Sequence, residues 1–118
     1  MVAIIGILAS IAMPAYTDYL TRGKIPDATS TLSSGQVRME QFFQDNQTYA
    51  NGPCPAATEH FTYNCGTPDR DGFTITASGK ASSMPDFTYT INQAGVKTST
   101  TPWGSCGTTW VAKKGGGC

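Results

Sequence analysis

Four cysteines, one histidine and a few short charged clusters are the residues of this chain whose chemistry could go beyond packing. Cys54 with Cys65 and Cys106 with Cys118 form two local pairs, eleven and twelve positions apart, in segments rich in Gly, Pro, Asn and Thr. Structural zinc sites are usually built from much tighter C-x₂₋₄-C knuckles, so these intervals argue against a Cys₄ metal site. With no C-x-x-C motif there is also no support for redox catalysis. Disulfides are the better reading, although spacing leaves all three pairings open. Closing loops of this size is worth roughly 3 kcal/mol each in the chain-entropy picture, and it places the chain in an oxidising compartment.

His60 is the single imidazole, and it sits in the Pro/Cys-rich loop without the partners that a nucleophilic site needs. Asp69 and Asp71 flank Arg70 in a loop, which reads as a turn rather than an acid/base pair. No P-loop, dinucleotide fingerprint or H-E-x-x-H occurs. Neither an enzyme nor a cofactor or metal site is expected. Lys113 and Lys114 lie between Trp110 and Cys118, and with Lys97, and Lys80 further off in sequence, they are the local candidates for contact with nucleic acid. Against that reading, eight basic residues balance eight acidic ones, so no bulk field favours a polyanion.

The elements that must position these groups begin with an uncharged run, MVAIIGILASIAM, over residues 1–13. As a helix it would extend roughly 20 Å, short of the roughly 30 Å that a full span requires. Val2, Ile4, Ile5, Ile7, Leu8 and Ile11 make it apolar on all sides, and Ala3, Gly6, Ala9, Ser10 and Ala12 permit close helix approach. Pro14, Gly23 and Pro26 are places where a helix kinks. Beyond them Leu32, Gly35, Met39, Phe42, Phe43 and Ala50 fall on one stripe, with Asp27 as an N-terminal carboxylate. Phe73–Ala77 and Phe87–Ile91 alternate apolar residues with Thr, as half-buried strands do. Asn92-Gln-Ala-Gly95 then reads as a turn with Gly95 at positive φ, leading to a third strand near 96–100. Phe73, Ile75, Phe87, Tyr89, Ile91 and Val96 are the expected sheet contribution to the core.

The resulting expectation is an α+β fold, a long helix laid on an antiparallel sheet of three to four strands. Residues 1–26 form the hydrophobic helix and 27–118 the head. The head divides into an amphipathic helix 27–50, a loop 51–71, a sheet 72–100 and a C-terminal loop 101–118.

Ala3 to Ala28, AIIGILASIAMPAYTDYLTRGKIPDA, resembles the N-terminal helix of bacterial type IV pilins. The likeness continues through Gln36–Tyr49, Phe73–Ala77, Phe87–Gln93 and the Gly95-Val-Lys-Thr turn, and is strongest to the PilE- and ComP-type group. It implies a ladle-shaped subunit whose C-terminal loop is closed by a disulfide. The apolar helix, with Val2, Ile4, Ile5, Ile7, Leu8, Ile11 and Pro14, would anchor a single-pass precursor in the inner membrane and then form the core of a helical filament. The family's cleavage motif and its Phe-Thr-Leu-Ile-Glu start have no counterpart here, so the resemblance implies further residues before Met1.

The implied function is a structural subunit of an extracellular pilus, partnered by copies of itself and other pilins, and serving adhesion, twitching motility or DNA uptake. The alternative within the same family is a minor pilin acting as a DNA receptor. Lys113, Lys114 and Lys97 would then touch the duplex.

Overall fold

The computed structural model describes residues 2–112, with side chains from Tyr19 onward. One helix, α1, runs from Val2 to Asn46 over 45 residues and gives the molecule a longest dimension of 69 Å. Pro14, Gly23 and Pro26, expected as interruptions, all lie within it. A proline removes only one backbone donor, and the turn after Pro26 is reinforced by side chains. Ser30 Oγ donates to the Pro26 carbonyl, and Thr31 Oγ1 to that of Asp27 at 2.7 Å. Because the helix is unbroken, Asp27 lies mid-helix rather than at an N-terminus. Its carboxylate reaches across to the head, accepting from Thr58 Oγ1 at 2.8 Å and from the His60 amide at 3.1 Å. The helix ends at Asn46 rather than near Ala50, because Gln47 turns into the left-handed region at φ 56°.

Five strands form one antiparallel sheet in sequence order: β1 Phe61–Asn64, β2 Thr74–Gly79, β3 Thr88–Asn92, β4 Lys97–Thr101 and β5 Gly104–Cys106. The middle three are those marked by alternation or by the Gly95 turn. β1 arises inside the segment read as loop and β5 inside the C-terminal loop; both are edge strands of four and three residues, too short to show a period. The β3–β4 turn is as expected, with Gly95 at φ 76° and the Asn92 side chain accepting from the amides of Ala94 and Val96.

The inner face of the sheet meets α1 over β2 and β3. Ile25, Ala28, Leu32 and Met39 of the helix are buried against Phe61, Phe73, Ile75, Ala77, Phe87, Tyr89 and Ile91. Gly35 lets the helix come close, since a Cβ there would lie 2.9 Å from Pro55 Cγ and 3.0 Å from Ile75 Cδ1. Val96 does not join this core: it lies before β4 begins and is 43% exposed. Tyr49, just past the helix, closes the far end, stacking on Phe43 at 4.7 Å and meeting Phe73 edge-on at 4.9 Å. Its phenol is held above the usual tyrosine value by burial and then by the neighbouring Glu40 carboxylate.

Among the described residues no helix is long and apolar enough to cross a membrane. The side chains of Val2, Ile4, Ile5, Ile7, Leu8, Ile11 and Pro14 lie outside the description.

Candidate functional site

A second element shares the inner layer with α1. Residues 109–112 form a strap over β3 and β4, held mainly by side chains of the sheet. The Tyr89 hydroxyl donates to the Val111 carbonyl at 2.7 Å. Ser99 Oγ donates to the Thr109 carbonyl at 3.0 Å and accepts the Val111 amide at 3.1 Å. Trp110 Nε1 donates to the Thr90 carbonyl at 2.8 Å. Val111 is thereby buried, and Tyr89, with almost no exposure, has its phenol pushed well above the ordinary value by desolvation.

Lys97 belongs to this arrangement. The register pairs it with Ile91, which in turn faces Ile75, so its side chain rises on the same side of the sheet as α1. Its ammonium lies over the Trp110 ring, 4.6 Å from the centroid, where the π-face attracts a cation. The pair lines a groove of about 370 Å³ whose other wall is α1, at Thr29, Ser30 and Ser33, with Thr109 and Ala112 completing the rim. Among the described residues no carboxylate lines it. Lys80 is not part of this group. It follows β2 five positions beyond Ile75, about 16 Å along the strand at the usual rise, and lies toward the opposite end of the sheet. Lys113 and Lys114 lie outside the described residues.

The other sequence candidates divide clearly. Cys54 and Cys65 are bonded to each other, stapling the helix–sheet loop to the end of β1. Cys106 is also disulfide-bonded, and Cys118 lies outside the described residues. Asp69 forms a turn: its Oδ1 accepts the amides of Asp71 and Gly72, both at 2.8 Å. His60 faces Glu59, with Nε2 3.9 Å from Oε2. Among the described residues no cluster of His, Cys, Asp or Glu could hold a metal ion. Sequence reasoning missed the strap and the Lys97–Trp110 contact. The available signal was a Trp-Val pair after the last strand, which composition alone cannot distinguish from an exposed tail.

Residues 14–110 match the family described as "Type IV minor pilin ComP, DNA uptake sequence receptor". The chain belongs to this type IV pilin family. Among curated relatives, the type IV major fimbrial protein FimA of Dichelobacter nodosus (strain VCS1703A) is 39% identical over 59 residues, which is 50% of this chain and 36% of the relative. A fimbrial protein of Moraxella nonliquefaciens is 37% identical over 57 residues, 48% of this chain and 37% of its own length. The matches thus span little more than a third of these relatives. Two solved pilins share the fold. The non-core minor pilin PilV of Neisseria meningitidis gives a TM-score of 0.63 at 16% identity, covering 81% of this chain and 96% of that one. A type IV pilin from Shewanella oneidensis gives 0.56 at 22% identity, covering 65% and 89%. The fold expected from sequence, a long helix packed on an antiparallel sheet, is therefore that of the pilins.

Proposed function

We propose that this pilin is a structural, non-enzymatic subunit of a type IV pilus, assembled through α1 with copies of itself or with other pilins and displayed outside the cell. The observation that carries this reading is the shape of the chain: α1 extends well beyond the head, and the part that extends has the uncharged sequence of residues 1–13. A helix apolar on every side needs a partner for its whole surface, which lipid supplies before assembly and neighbouring helices supply afterwards. The uncharged start of the 1–26 segment is the anchor and filament surface, while its end, at Lys24 and Ile25, packs with 27–118 in the displayed head. Val2, Ile4, Ile5, Ile7, Leu8, Ile11 and Pro14 form the filament contact. Electron microscopy of pili from cells lacking this chain tests the role: loss of filaments marks a shaft subunit, and normal filament numbers mark a minor one. Absence of the chain from pili purified from unaltered cells overturns the proposal.

A second reading, a minor pilin that receives DNA, is favoured by the family description and by the groove at Lys97, whose described lining holds no carboxylate. In this reading Lys113 and Lys114 join Lys97 as duplex contacts. A gel-shift titration at rising salt checks it. Binding that weakens with salt, and weakens further in Lys113→Ala/Lys114→Ala, supports it; no binding at low salt removes it.

A further inference from the structure

We propose that Trp110 is a positioning residue that fixes Lys97 as a contact to the phosphodiester backbone of DNA, in the groove between the strap and Thr29–Ser33 of α1; this rests on the DNA-receptor reading.

Lysine is ordinarily a poor fixed contact, because its four-carbon stem must be immobilised to hold the ammonium in one place. Here that ordering is already present in the free protein. The stem rises from a paired strand residue, and the ammonium lies on an indole ring that is itself held by the bond from Nε1 to Thr90. Among the described residues that line the groove none is an acid, so none of them competes for the ammonium. Among the described residues no carboxylate pairs with Lys97. Hydroxyls on both walls, Ser33 from α1 and Thr109 from the strap, add short donors of the kind that commonly contact phosphate oxygens. A single cation flanked by hydroxyls matches one phosphate of a backbone, and it carries no base-reading geometry. The contact is therefore sequence-independent and aligns the duplex against the helix side of the head.

The test is a double-mutant cycle on the full chain, with a short duplex oligonucleotide of arbitrary sequence followed by fluorescence anisotropy across a salt series. Lys97→Ala should make the slope of log affinity against log salt shallower by about 1. Trp110→Leu should weaken binding several-fold while leaving that slope in place, since the charge remains. In the Lys97→Ala background the same Trp110→Leu change should have no further effect, and Trp110→Phe should restore most of the loss in the single variant by keeping a π-face. Equal losses from Trp110→Leu with and without Lys97 would assign Trp110 a purely structural role and overturn the proposal. Duplex binding with an unchanged slope in Lys97→Ala would overturn it too, while leaving the receptor reading intact. If the unaltered chain shows no salt-dependent binding, the receptor reading fails first and this contact fails with it.

Discussion

The inner face of the sheet is covered twice, by two different kinds of force. Over β2 and β3 the cover is α1, which buries Leu32 and Met39 completely against aromatic and aliphatic partners. Over β3 and β4 it is the strap, which buries one apolar side chain, Val111, and is otherwise held by hydrogen bonds from Tyr89, Ser99 and Trp110. The helix cover tolerates small shifts because apolar contact is not directional. The strap does not, because each of its bonds has one donor, one acceptor and a narrow range of angle. A head built this way has a robust half and a half whose shape is set by a few polar atoms, and the groove with Lys97 lies on the second.

Breaking the apolar half should have the largest effect. Leu32→Ala removes a fully buried side chain between helix and sheet and should cost about 3 kcal/mol in denaturant unfolding. If it costs less than any strap variant, the contrast drawn between the two halves is wrong. Gly35→Ala tests the closeness of the helix: the added Cβ forces Pro55 and Ile75 to move and should cost about 2 kcal/mol.

On the strap side, Tyr89→Phe leaves the Val111 carbonyl without its donor and should cost about 1 to 2 kcal/mol. The same phenol gives the strap an alkaline limit. Burial raises its folded value above the ordinary tyrosine value of 10.0, so the neutral form is the one favoured in the fold. Its contribution is complete below pH 10.0 and is lost as pH rises beyond it. Tyr89→Phe should flatten that alkaline decline, read from unfolding midpoints across the pH range. The smallest effect belongs to Lys97→Ala, which should change stability by no more than about 0.5 kcal/mol, as a side chain at the groove rim should. A larger loss would make Lys97 a structural residue of the strap rather than a free rim cation.

The same contrast explains what the sequence made legible. Leu32, Met39, Ile75 and Ile91 announce themselves through period, because a helix or strand that buries one face must repeat its apolar residues. The Asn92–Gly95 turn announces itself through residue type. Met84 and Val111 reach the core from irregular segments where no period exists. Phe61 does so from an edge strand only four residues long. Asp27 was legible as a carboxylate but not as a cross-link, since its role depends on the helix passing unbroken through Pro26. Of the site, Lys97 was visible as one of several lysines. Its union with Trp110 required two segments thirteen residues apart in sequence to meet across the sheet.

The Asp27 junction has a mechanical meaning. Its carboxylate holds Thr58 and His60, and its carbonyl accepts the Tyr63 hydroxyl at 3.0 Å, so one residue of the helix fastens the approach to β1 and the strand itself. A pull applied at the far end of α1 travels down a single backbone and is met by transverse bonds to the rest of the head at Lys24 and Asp27. The load then passes through Asp27 to the edge of the sheet that the Cys54–Cys65 bond closes. In a rod-and-head molecule this is a rivet, adding directional bonds to the apolar packing that keeps the head from sliding along the rod.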